Sequence, residues 1–238
     1  MFWCSIFDNV PQILHGPSNK NNTYCTTVLI VILRKWGNST AENRVSRARA
    51  LLDESIQRYQ DGDIRCKPTN VTFNVAAESI GNSNDQDMET QVLSLFKTME
   101  HIGCEQNLVS FNIQIKKCAN ATGSEARKMN ALRIAAAAFN SLPSVGLRPD
   151  SITYTGMIHA LLNLMGDSAE KSKAVSGIFQ QCCDGGCLNP HILNILAAAT
   201  SEENYFSITG FSPKTAFSSL PAEWSRRSSR DSISNDIE

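Results

Sequence analysis

Apolar residues in this chain return at steps of three and four. Val92, Leu95, Phe96, Met99 and Ile102 make one such series, and Leu132, Ala135, Ala136, Phe139 and Leu142 make another. That spacing predicts helices with one buried face. Shorter apolar series, Val75, Ala76 and Ile80, then Ile113, Ile115 and Ala119, precede them. Polar turns separate each short series from the long one that follows: Gly81 to Asp85, Asn120 to Ser124, Met165 to Ser168. Upstream, Glu42 to Gln60 reads as a further helix, with Val45, Ala48, Leu51, Leu52, Ile56 and Tyr59 on one face. Thr23 to Gly37 reads as its partner. Its apolar run Thr26–Leu33 is β-branched enough for a strand to compete, and far too short to cross a bilayer, which takes roughly 20 residues.

The helix pairs repeat. A short string recurs as Val71-Thr72-Phe73-Asn74, Val109-Ser110-Phe111-Asn112 and Ile152-Thr153-Tyr154-Thr155: β-branched, hydroxyl, aromatic, small polar. A phenylalanine stands seven residues before a glycine three times, at Phe96/Gly103, Phe139/Gly146 and Phe179/Gly186. The next aromatic follows the glycine by eight residues at Phe111 and Tyr154, whereas after Gly186 the same step lands on Asn194. The units therefore start near Asn70, Leu108, Ser151 and His191, with periods of 38, 43 and 40 residues. Within each unit the hydroxyl residue is placed to cap the first helix, and the glycine to end the second in a left-handed conformation. A two-helix unit cannot bury its apolar face alone, so the units must stack. The expected fold is all-α, a solenoid of helical hairpins (an α-α superhelix). Its parts are an N-terminal segment 1–22, a diverged repeat 23–69, repeats 70–107, 108–150 and 151–190, a capping helix 191–200, and a serine-rich tail 201–238. The tail's composition predicts disorder.

These strings resemble the pentatricopeptide-repeat family, whose unit opens on a Val-Thr-Tyr-Asn-like string and closes on a Gly-x-x-Pro-Asp-like one. The closings here run Gly103 to Asn107, Gly146-Leu147-Arg148-Pro149-Asp150, and Gly186 to Pro190, and the resemblance spans roughly residues 23–200. The units are longer than the family's usual repeat. The resemblance implies a binder of single-stranded RNA, reading about one base per repeat, in mitochondria or plastids. The N-terminus lacks an Arg-rich transit pattern, with no arginine before Arg34, so the organelle rests on the resemblance and the cytoplasm is the alternative. By the same resemblance, Val71, Val109 and Ile152 pack against base faces, with inter-repeat core the competing role. Asn74, Asn112 and Thr155 bond base edges. Asn107, Asp150 and Pro190 complete the selection. The family's code pairs Asn74 with Asn107 for a pyrimidine and Asn112 with Asp150 for uracil, while Thr155 points to a purine.

Charge and chemistry modify this picture only slightly. The net charge of −1 argues against coating nucleic acid by bulk charge. Lys116, Lys117, Arg127, Lys128 and Arg133 form the basic concentration within the repeats, a candidate phosphate contact against the simpler role of a solvated face. The eight cysteines, including Cys182, Cys183 and Cys187 near His191, lack paired zinc spacing and read as reduced, mostly buried thiols. The sequence contains no phosphate-binding glycine loop, no nucleophile elbow and no zinc-deaminase signature. The expectation is a binding protein with no cofactor, no metal, no membrane span and no catalysis. A scaffold that holds protein segments is the alternative.

Overall fold

A computed structural model describes residues 44–80 and 87–227; the 1–22 segment, the helix expected at 23–37, and 228–238 lie outside the described residues. Among the described residues every regular element is helical. The chain divides into two compact units, residues 1–83 and 84–238. The division falls in the turn between the two helices of the repeat expected at 70–107.

The first unit contains α1 (Arg44–Gln60), a 3-10 turn (Ile64–Cys66) and α2 (Asn70–Ile80). Leu51, Leu52 and Ile56 of α1 are buried, as are Phe73, Ala76, Ala77 and Ile80 of α2, and the two helices pack on each other. The buried Ser55 hydroxyl donates to the Cys66 carbonyl at 2.8 Å, which fastens the connecting turn to α1.

The second unit contains α3 (Met88–His101), α4 (Leu108–Ala119), α5 (Glu125–Ser141), α6 (Ser151–Leu164), α7 (Ala169–Asp184), α8 (Pro190–Ala199) and α9 (Glu202–Thr209). The first helices of successive repeats stack, α4 on α6 and α6 on α8. The second helices pack behind them, α5 on α4 and α6, and α7 on α6 and α9. Gly156 lets α4 and α6 approach closely, since a Cβ there would sit 3.1 Å from Ile115 Cγ2.

The repeating aromatics have a packing reason. Phe139, from the second helix of one repeat, meets Tyr154, which opens the next, edge to face at 5.8 Å. Each such pair stabilises by about 0.5–1.5 kcal/mol beyond the area it buries. The glycines also act as expected. Gly103, Gly146 and Gly186 all adopt positive φ, between 69 and 73°. Around each, the next residue's N–H reaches back five residues, Cys104 to Met99, Leu147 to Leu142 and Cys187 to Cys182, satisfying carbonyls the helix end would orphan.

The structure departs from the sequence reading in the tail. Residues 202–209 form α9, with Tyr205 and Ile208 buried, and 211–227 run back over the end of α7. Phe211 packs on Phe179 and Tyr205, with ring centroids 6.4 and 6.0 Å away, and Trp224 packs on Phe211 at 6.4 Å. The Leu188 N–H donates to the Trp224 carbonyl and the Arg227 N–H to the Gly186 carbonyl, both at 2.8 Å. Serine content suggested disorder because it averages away a few widely spaced large apolar residues. One of them, Phe211, lies against the buried Phe179.

Candidate nucleic-acid interface

The start of each first helix is built the same way. The residue before the helix accepts a hydrogen bond from the backbone three positions on, which satisfies one of the helix's orphan N–H groups. Asn107 Oδ1 accepts from the Ser110 N–H at 3.1 Å, Asp150 Oδ1 from the Thr153 N–H at 2.7 Å, and Asn189 Oδ1 from the Ile192 N–H at 3.0 Å. In the first unit Thr69 Oγ1 accepts from the Thr72 N–H at 3.4 Å. At Asn107 and Asp150 the hydroxyl of the third residue accepts in return from the cap's own N–H, closing a capping box.

This common frame fixes the register of the expected base-facing residues. Val71, Val109 and Ile152 are each the second residue of their helix. They are 42%, 53% and 62% exposed, whereas the aromatics two positions on, Phe73, Phe111 and Tyr154, are buried. The inter-repeat core is thus made by the aromatics, and the three β-branched side chains stand outside it. In the last repeat the cap is Asn189, so Pro190 is the first helical residue, and His191 and Asn194 take the second and fifth places. The reading that placed Pro190 at the closing position is therefore corrected to Asn189. The connection from Gly186 to the cap is one residue shorter than those from Gly103 and Gly146, which moved the sequence register by one. A proline after a capping asparagine was the signal that marks the true helix start.

Asn112 and Asp150, from successive repeats, come together. Asn112 Nδ2 donates to Asp150 Oδ1 and Oδ2 at 3.2 and 3.4 Å. The Thr153 hydroxyl lies 2.6 Å from Asn112 Oδ1 and 2.7 Å from Asp150 Oδ1. Thr155 behaves differently, donating its hydroxyl to the Ser151 carbonyl of its own helix at 2.7 Å. Asn74, in the first unit, is 8% exposed, and Asn107, in the second, is half-buried.

The basic concentration does not act as one patch. Lys117 is 3% exposed, so its side chain is not offered to a phosphate, while Lys116 and Arg133 are exposed. Arg127 is committed to Glu89 of α3, Nε to Oε1 at 2.9 Å and Nη2 to Oε2 at 3.1 Å. Glu89 is 1% exposed. Burial pushes its carboxyl up, but the hydrogen bonds and charge of Arg127 outweigh this, so the group titrates below its ordinary range. Lys128 pairs with Glu125 at 2.9 Å. Among the cysteines, burial pushes the Cys118 and Cys183 thiols up to about 12, and that of Cys182 higher, which keeps them protonated and unreactive. Among the described residues no group of three or more His, Cys, Asp or Glu is placed to hold a metal ion, and no helix is long and apolar enough to cross a membrane.

No protein-family model matches the chain. A pentatricopeptide repeat-containing protein of Arabidopsis thaliana is 25% identical over 125 residues, covering 50% of this chain and 15% of that protein. Among solved structures, the pentatricopeptide repeat protein PPR10 in complex with an 18-nt psaJ RNA element matches 99% of this chain and 31% of its own, at 19% identity and a TM-score of 0.54. A cysteine-to-serine variant of PPR10 with the same RNA element gives the same values. The chain thus spans well under half the length of these proteins. The resemblance read from the motifs is borne out, and the fold is that of a pentatricopeptide-repeat solenoid.

Proposed function

We propose that this pentatricopeptide-repeat chain binds single-stranded RNA sequence-selectively, as one segment of the work done in organellar RNA processing, stability or translation. Its role is binding, not catalysis. The observation that carries the reading is the Asn112–Asp150 pair, joined across a repeat boundary, with exposed Val109 and Ile152 on the first turns of the same two helices. An exposed β-branched side chain gives a base face an apolar surface to rest on. Asn112 keeps a second amide N–H, and Asp150 Oδ2 has only one long hydrogen bond from Asn112, so a donor and an acceptor remain for one base edge. The family's code assigns that pair to uracil. Val71 with Asn74, and Ile152 with Thr155 and Asn189, are the equivalent sets in the neighbouring repeats. Of the basic concentration, the exposed Lys116 and Arg133 are the candidate contacts to the phosphate backbone.

The test is titration of fluorescent 12-nucleotide single strands, rU12, rC12 and rA12, with a double-stranded control and a salt series. Wild type is expected to prefer single strands and to weaken as salt rises. Asn112→Ala with Asp150→Ala should lower rU12 affinity about tenfold, within the roughly 1–3 kcal/mol that a well-made base contact supplies. Absence of RNA binding at micromolar protein, with a protein segment captured instead, would move the assignment to a protein scaffold.

A further inference from the structure

We infer that Thr153 is a positioning residue for base selection, holding the Asn112 amide in the one orientation that presents its N–H to RNA. The inference rests on the RNA-binding reading above. Thr153 is fully buried, so it acts through Asn112 and touches no base itself. An asparagine amide has nearly the same shape when turned over, and its neighbours decide which end is the donor.

Two neighbours decide here. The Asp150 carboxylate only accepts, so it draws the Asn112 NH2 toward itself. The Thr153 hydroxyl accepts the Asp150 N–H at 3.1 Å and has one proton to give. Asp150 Oδ1 already receives the Thr153 N–H and the Asn112 amide. The shortest contact of the hydroxyl is the 2.6 Å one to Asn112 Oδ1, and that is where its proton belongs. The amide is then gripped at both ends, oxygen to Thr153 and nitrogen to Asp150. A turned amide would set its oxygen against a carboxylate that only accepts, and would forfeit the bond to Asp150. The hydroxyl of the opening string, needed locally as half of a capping box, therefore also reaches back to the preceding repeat and sets its reading group.

The capping role and the positioning role separate by experiment. Thr153→Ser keeps the hydroxyl and Thr153→Val removes it at similar volume. Both are read by thermal unfolding, by the Asn112 side-chain amide signals in a 1H–15N spectrum of the full chain, and by the ratio of affinities for rU12 and rA12. Removing one hydrogen bond narrows that ratio about fivefold in Thr153→Val, and the Asn112 amide protons exchange faster with water. Thr153→Ser keeps both the ratio and the amide signals of wild type. A Thr153→Val protein that melts lower yet keeps the ratio and the Asn112 signals overturns the inference and leaves Thr153 as a cap. Loss of binding by wild type overturns the RNA reading, and the base-selecting role with it, while the amide signals still report whether the grip exists.

Discussion

Repeats 108–150 and 151–190 of the second unit tie to their neighbours with different chemistry. Repeat 108–150 makes its polar contacts across both of its boundaries. Asn112 reaches Asp150 and Thr153, and Arg127 reaches back to the buried Glu89 of the preceding second helix. For repeat 151–190 the equivalent contacts are local or missing. Thr155 bonds its own helix, Ile192 replaces the hydroxyl residue, and Lys171, at the position of Arg127, pairs with fully exposed Asp167 four residues away. The polar cross-ties thus belong to repeat 108–150. At the last junction an aromatic cluster of Phe179, Tyr205, Phe211 and Trp224 takes over.

The largest expected effect comes from breaking the cross-tie at Arg127. Arg127→Ala leaves the Glu89 carboxylate buried without its partner, a loss of about 3–5 kcal/mol in unfolding free energy. Lys171→Ala at the equivalent place should leave the melting temperature unchanged, because its partner is in water. Equal effects from the two would erase the distinction between the two repeats. The same pair sets an acid limit. Glu89 titrates lower folded than its ordinary 4.5, so its stabilisation is complete above that value and is lost as pH falls through the lower folded value. Wild type should therefore lose more stability as pH falls below 4.5 than a Glu89→Gln protein, as chemical denaturation at each pH would reveal. Parallel curves for the two proteins would show that the pair carries no pH dependence.

Next comes the aromatic end. Phe211→Ala removes the ring that bridges Phe179, Tyr205 and Trp224, at about 2–3 kcal/mol for a half-buried phenylalanine. Proteolysis should then begin within 211–227, the segment this ring holds down. If cleavage and melting match wild type, the ring does not hold segment 211–227 against α7 and α9.

The helical repeat was legible because its signals are local and redundant. The Phe139–Tyr154 contact and the left-handed glycines are imposed by packing and backbone geometry, so each appears in the sequence at fixed spacing. The pair proposed to meet a base edge was legible only by resemblance. Spacing alone does not reveal that Asn112 and Asp150, 38 residues apart, share hydrogen bonds. Thr153 was visible as a helix cap, but its second bond reaches 41 residues back and leaves no periodic trace. Lys117 and Arg127 misled for a related reason. Charge in a sequence carries no label for burial or for a partner such as Glu89. Residues 202–227 fold because Tyr205, Phe211, Phe217 and Trp224 in a polar segment are enough when a ready-made apolar surface awaits them.

The smallest effect, and the sharpest for the comparison, is a gain. Thr155→Asn with Ile192→Thr gives the last junction the residue types of the preceding one, with Asn189 already in the capping place. The new threonine replaces a fully buried isoleucine, so a modest loss of melting temperature is expected. The new asparagine places an amide where Thr155 now turns its hydroxyl back on the helix. Under the family's code an Asn–Asn pair favours a pyrimidine where Thr155 points to a purine. The ratio of rU12 to rA12 affinity should therefore rise by about twofold to fivefold, the worth of a single hydrogen bond. Ile192→Thr alone should not raise it, since no amide would be there to hold. If the double variant folds and its ratio stays at the wild-type value, the cross-tie is not sufficient to make a junction read, and the neighbouring Asn112–Asp150 pair must owe its selectivity to something beyond these contacts.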